Sequence, residues 1–328
     1  MGEALFFYFV DTKSTLLYPG EDRKEGGYSA FFMLEELCSI NLVGAIIVFI
    51  YGSLIGSFLN VAIYRLPLER SIVWPGSACG TCGTPLSWWE NLPIVAYFYL
   101  GGRCHICGSS YSWRYAAIEA FTASMSVFLY YFYNGVNAEF IYAFIFLCLL
   151  IVVFFTDFDH WIILDSVSYG GMVVGLVGSF FIPMRVDFSF FDFSLLPDIL
   201  KAYEVVANPW LNGLSSLYGM ALGAAFYWAI QSIGKLLSHQ EAMGSGDIKL
   251  AAMIGSFLGW SVGLISFFLS FVLGAIFAVF IMLLSGKKGK DPLPLGTFMA
   301  IGSFVCLLYK NQIVDYILNW PYYTGLWY

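Results

Sequence analysis

The sequence predicts an all-α polytopic membrane protein of about eight transmembrane helices, with a small zinc-binding cytoplasmic domain after the first helix. Three observations carry this. Of the 328 residues 59% are hydrophobic and 11% charged, whereas roughly a quarter of the residues in soluble domains are charged. Charge-free runs recur along the chain, among them Leu42 to Tyr64 and Leu250 to Gly286, and a hydrocarbon core needs only about 20 apolar residues to be crossed. The main hydrophilic stretch, Arg65 to Arg114, holds four of the seven cysteines as two CxxC pairs.

Residues 1–38 contain a short apolar run, Leu5 to Val10, but Glu3, Asp11 and Lys13 deny them the basic-then-apolar layout of a signal peptide. They are expected to form an extramembrane extension. The first transmembrane helix follows at 39–64, the cysteine domain at 65–115, and a membrane-embedded domain at 116–310. Spans within the latter are expected at 116–133, 139–156, 161–182, 213–237 and 294–310, with an extracytoplasmic insertion at 183–212. A helix over the charge-free Leu250–Gly286 run would be about 55 Å long, against a core of about 30 Å. It must break, near Gly255, Gly259 or Gly263. Residues 311–328 end in the aromatic WPYYTGLWY, which suits an interfacial belt.

Basic residues of short loops set the orientation. With Arg65–Arg114 cytoplasmic, alternation puts DFDH, HQEAMGSGD and KKGK on the same side, in agreement with Lys235, Lys249, Lys287, Lys288 and Lys290. The net charge of −7 says little about partners, because acidic residues concentrate in the first forty positions and in the 183–212 insertion, but no basic stripe suggests a nucleic-acid partner. The lipid bilayer is the partner that composition requires.

Cys79-Gly-Thr-Cys82 and Cys104-His-Ile-Cys107 are separated by 21 residues. Paired units of this kind suit a tetrahedral zinc site, and four thiolates leave no open position for water, so the metal is expected to be structural. Two redox disulfides are the alternative, disfavoured in a reducing cytosol. His105 reads as a bystander. Cys38, Cys148 and Cys306 lie in or beside apolar spans and read as small hydrophobes.

Ionisable residues near membrane depth are retained mainly for function. The candidates are Asp157, Asp159, Asp165 and Asp247, with Glu119 in the second span. Each aspartate has a bland reading as a helix cap. That reading weakens for Asp247, because the flanking Gly244 and Gly246 permit a close backbone approach that a cap does not require. Asp157 and Asp247 both stand where a cytoplasmic loop meets a helix. At equal depth they can share one proton and activate water against a peptide bond. A proton relay in a transporter or assembly scaffold would place aspartates similarly. Glu119 is expected to pair with Arg114 or with a backbone group.

Taken together, these segments resemble the type IV prepilin peptidase family over residues 52–308. GSFLNVAIYRLP resembles the segment that closes its first span, and the stretch from CGTC to Glu119 its four-cysteine domain. GSGDIKL matches its GxGDxKL segment, and PLPLGTFMAIG resembles the motif opening its last span. The resemblance implies that Asp247 is catalytic and that Gly244, Gly246 and Lys249 support it. The second family aspartate stands eight residues before an Asp or Asn that follows a proline, which selects Asp157, with Asp165 at the far end and Leu164 in the proline's place. Asp159 is the candidate substitute. A GxGD arrangement like that of presenilin-type proteases is implied. So are a bacterial inner-membrane location, prepilin or pseudopilin substrates with a basic leader, and N-methylation of the new amino terminus by S-adenosylmethionine. A peptidase without methyltransferase activity remains the alternative.

Overall fold

The computed structural model describes residues 27–182, 209–238, 244–285, 294–310 and 312–313. Residues 1–26 of the 1–38 extension, most of the 183–212 insertion, Glu241, KKGK and the aromatic tail lie outside the described residues, while residues 27–38, expected to be extramembrane, are continuous with the first helix. Among those described, the chain is helical without β-strands: α1 Gly27–Arg65, α2 Val95–Tyr99, α3 Arg114–Phe132, α4 Ala138–His160, α5 Asp165–Ser179, α6 Pro209–Ser238, α7 Ser245–Ser285 and α8 Leu295–Leu308. Among the described residues three stretches are long and apolar enough to cross a membrane: Asn41–Leu68, Ala138–His160 and Ser245–Phe280. At 15 and 14 residues, α5 and α8 would each reach about 22 Å, short of a roughly 30 Å core.

From Ala45 onward α1 runs antiparallel to α3, joined by a ladder of close approaches. A Cβ on Gly52 would lie 2.9 Å from Ala123 Cα, and one on Gly56 2.8 Å from Glu119 Cα. Ser126 Oγ donates to Val48 O at 3.1 Å, and Asn60 Nδ2 to Tyr115 O at 3.0 Å. Small residues bring the backbones together where lipid offers no hydrophobic drive for helix association. The cysteine module is thereby held between two helix ends that pack on each other.

The expected break in the long apolar run falls at Gly259, whose φ of 75° and ψ of −179° interrupt α7. A positive φ costs glycine little, and most other residues more. Gly263 returns close to Gly255, so the two arms, 245–258 and 260–285, form a hairpin. Breaking a helix orphans the carbonyls of its last turn, and in a membrane these need partners from the protein. Here Ser216 Oγ of α6 donates to Ser256 O at 2.8 Å, while Tyr142 Oη of α4 lies 3.1 to 3.4 Å from the carbonyls of Gly175, Ser256 and Phe257. The acidic cluster also differs from expectation. Asp157 and Asp159 lie inside α4, which runs on to His160, and not in a loop ahead of the next span. Trp161, left-handed at φ 57°, closes the helix, and α5 starts afresh at Asp165.

The first arm of α7 packs on α6 through glycine on glycine: a Cβ on Gly255 would run into the Gly219 carbonyl, and one on Gly223 would lie 2.6 Å from Ala251 O. Overpacking of this kind typically costs about 1–3 kcal/mol. Gly255→Ala should therefore lower the thermal unfolding temperature in detergent by several degrees. Gly263→Ala, whose Cβ meets nothing closer than 3.7 Å, should leave it nearly unchanged; equal effects would contradict the packing described.

Candidate active site

Asp157 is buried at 5% exposure in the last turn of α4. Its Oδ2 accepts the Thr297 amide at 2.8 Å and the Thr297 hydroxyl at 3.3 Å. Thr297 stands in the first turn of α8, behind Pro294 at the N-cap, where amides are free to donate and the helix dipole favours negative charge. The preceding residue must be small. A Cβ on Gly296 would sit 3.0 Å from Asp157 Oδ2.

Asp247 lies in the first turn of α7, and its Oδ2 accepts the Gly244 amide at 3.2 Å, half of a capping box. The cap reading is thus partly true. The glycines differ in purpose: a Cβ on Gly246 would lie 2.9 Å from Ile163 Cβ, whereas Gly244 has nothing closer than 3.6 Å and contributes its amide. Ile163 also reaches the other helix start, with its Cδ1 3.2 Å from where a Gly296 Cβ would be. This single residue of the α4–α5 connection therefore wedges between the N-termini of α7 and α8. Asp157, against Gly296, and Asp247, next to Gly246, thus stand on different helices on either side of Ile163. The sequence does not single out Ile163, Gly296 and Thr297 as site residues; the glycine directly before Asp247 in GSGD and the one directly before Thr297 in PLGT are the available signal.

The other candidates are engaged elsewhere. Asp165 holds Lys249 Nζ with both oxygens, at 2.6 and 2.7 Å, and Tyr169 lies 5.5 Å from the same ammonium. Asp159 takes a bidentate ion pair from Arg114, whose guanidinium also covers the Phe155 ring at 4.4 Å. Arg114 is therefore not the partner of Glu119, which accepts the Ile94 amide at 2.7 Å.

The four cysteines converge, with Cys79, Cys82, Cys104 and Cys107 sulfurs all within 4.8 Å of one another. Each pair forms the same knuckle. Gly83 and Gly108 follow the second cysteines at φ 71° and 70°, and isolated bridges Ala78 to Pro85 and Arg103 to Ser110 close the loops. Hydroxyls occupy matching places: Thr84 Oγ1 lies 3.2 Å from Cys82 Sγ, and Ser109 Oγ 3.0 Å from Cys107 Sγ. The Cys82 amide and then the Ser109 hydroxyl hold the Cys79 thiol down to about 5, so it is a thiolate at neutral pH. The cluster can hold a metal ion. His105 is no ligand; it pairs with the buried Glu90, which also caps the Trp88–Asn91 turn through the Ser87 amide at 2.8 Å. The Ser87 amide and His105 together hold the Glu90 carboxyl below its usual range.

Between this module and the facing ends of α1 and α3 lies a cavity of about 380 Å³, lined among others by Arg65, Glu90, Tyr97, Tyr111, Tyr115 and Glu119. At its edge Ile94, with φ 64°, takes a conformation unfavourable for a β-branched residue, so that its amide can reach Glu119.

Residues 50–133 match the family model for the bacterial peptidase A24 N-terminal domain, and residues 144–279 match that for the type IV leader peptidase family. A prepilin leader peptidase/N-methyltransferase of Pseudomonas aeruginosa is 29% identical over 315 residues, covering 86% of this chain and 96% of the relative. That of Myxococcus xanthus is 33% identical over 245 residues, covering 75% and 65%. A third, from Legionella pneumophila, is 27% identical over 305 residues, covering 86% and 95%. No solved structure gives a significant match. Both halves are matched in order, and the second carries both aspartates, so the chain belongs to the type IV leader peptidase family.

Proposed function

We propose that this chain is a prepilin leader peptidase of the bacterial inner membrane that cleaves the basic leader of prepilins or pseudopilins and then N-methylates the new amino terminus. The observation that supports the proposal is that the helix starts bearing Asp247 and holding Asp157 both pack on Ile163, through Gly246 and Gly296. Two close carboxyls do not both ionise, so the pair holds one proton and titrates as a unit. The ionised member takes a proton from the attacking water, and the protonated one donates to the carbonyl oxygen of the scissile peptide. The roles of the other carboxylates are structural. Asp159 with Arg114 ties α4 to α3, and Asp165 with Lys249 ties α5 to α7.

The proposed architecture has about eight membrane crossings, with the cysteine module and the aspartate pair on the cytoplasmic side. Zinc fits the four thiolates. A tetrahedron with Zn–S bonds of about 2.3 Å has edges of about 3.8 Å, and the observed Cys79–Cys107 and Cys82–Cys104 separations are 3.7 and 4.0 Å. With every position closed, the ion is structural. The methyl donor S-adenosylmethionine fits the cavity between the module, α1 and α3, whose 380 Å³ falls in the usual range of ligand sites, about 300–1,000 Å³. Tyr97, Tyr111 and Tyr115 would face its sulfonium cation, with Glu90 and Glu119 supplying negative charge. When bound, the donor supplies an electrophilic methyl group.

Cleavage of a purified pilin precursor tests the pair. Asp157→Asn and Asp247→Asn should each lower the rate by about 10³-fold or more, the scale of acid–base contributions, while Asp159→Asn should stay within about tenfold of the parent. Thermal stabilisation by S-adenosylmethionine should survive in Asp247→Asn. Loss of cleavage on Asp159→Asn with retention on Asp157→Asn would move the first catalytic role to Asp159.

Metal analysis should find one zinc per chain, with hydrolysis independent of added metal ions. Cys82→Ser should lower zinc content and the stability of the cysteine module together. A zinc-free preparation with Cys79–Cys82 and Cys104–Cys107 disulfides would overturn both the site and its cytoplasmic placement.

A further inference from the structure

Tyr227 on α6 is fully buried, yet among the described residues its hydroxyl has no hydrogen-bond partner. A buried polar group left unpaired is costly, and such groups in native proteins call for an explanation. Its ring is well fixed. Phe267 meets it edge-on at a centroid distance of 5.3 Å and Phe271 stacks on it at 5.6 Å, both from the second arm of α7. Only the hydroxyl hydrogen keeps rotational freedom.

The register of α6 against the first arm of α7 says where that hydroxyl lies. Gly219 packs on Gly255 and Gly223 on Ala251, each step of four along α6 matched by a step of four back along α7. The next step sets Tyr227 opposite Asp247, whose carboxylate is the charge within electrostatic range of the phenol. From the loop side, the Gly244 amide already holds Asp247 Oδ2.

We propose that Tyr227 is a positioning residue for the aspartate pair, its hydroxyl donating toward Asp247 and fixing that carboxylate's orientation while water attacks the peptide. The proposal rests on the assignment of Asp247 to the catalytic pair. The stability cost of an unpaired hydroxyl is then tolerated because the group is used during the reaction.

Tyr227→Phe tests this, because it removes the oxygen while keeping the ring between Phe267 and Phe271. For full-length protein acting on a pilin precursor, kcat should fall at least tenfold and KM should stay within twofold. The thermal unfolding temperature should be unchanged or higher, since only an unpaired buried hydroxyl is lost. A kcat within twofold of the parent would overturn the proposal, as would a fall in kcat accompanied by a lower unfolding temperature. Asp247→Asn in the same assay separates the two ideas: inactive Asp247→Asn with fully active Tyr227→Phe sinks only the role of Tyr227, whereas active Asp247→Asn sinks the pair itself.

Discussion

The hydrogen bond from the Thr297 amide to Asp157 joins the C-terminal turn of one helix to the N-terminal turn of another. A carboxylate buried at the end of an apolar helix has little water to stabilise it and depends on the protein for donors. The first turn of α8 supplies two, the Thr297 amide and hydroxyl, together with the favourable end of a helix dipole. Reaching them requires α8 to start at the depth where α4 ends. A 14-residue α8 behind Pro294 meets that requirement.

Bringing Asp247 to the same place is the remaining task, and it falls on glycine contacts. Gly246 and Gly296 yield to opposite ends of Ile163, while Gly219, Gly223 and Gly255 let α6 and α7 approach backbone to backbone. The break at Gly259 then folds the second arm of α7 back, so that Phe267 and Phe271 close over Tyr227 beside the site. The carbonyls freed by that break are met by Ser216 and Tyr142, which is why a polar hydroxyl from α4 lies deep in an aromatic core. The cysteine module has a separate basis, two matching knuckles between α1 and α3. The proposed hydrolytic and methyl-transfer sites thus use different elements of one chain.

Features fixed by local chemistry were legible in the sequence. The two CxxC pairs announced a four-thiolate cluster, and a charge-free run too long for a membrane announced a break, found at Gly259. The family resemblance, through its eight-residue spacing to Asp165, selected the aspartate that the fold buries beside α8. What depended on long-range packing was not legible. Whether Asp157 ends one helix or begins the next turned on how far α4 continued past Thr156. The wedge made by Ile163 joins three elements far apart in sequence. Of the two partners expected for Glu119, Arg114 or a backbone group, the backbone amide of Ile94 is the one found; the pairing of Arg114 with Asp159 follows from α3 lying beside the end of α4, which no local pattern encodes.

The central claim is that the two carboxylates act together at one depth, set by the ends of α4 and the starts of α7 and α8. A pilin precursor carries its basic leader ahead of a hydrophobic helix, so depth would select the bond that is cut. The most direct measurement is cleavage of a graded set of precursors in which the scissile bond is moved residue by residue into the apolar helix, at fixed enzyme concentration in membranes. Cleavage confined to the native position and its immediate neighbours, and lost once the bond is displaced by about a helical turn, is the predicted result. Equal cutting at every displacement would contradict the account, even if both aspartates proved essential.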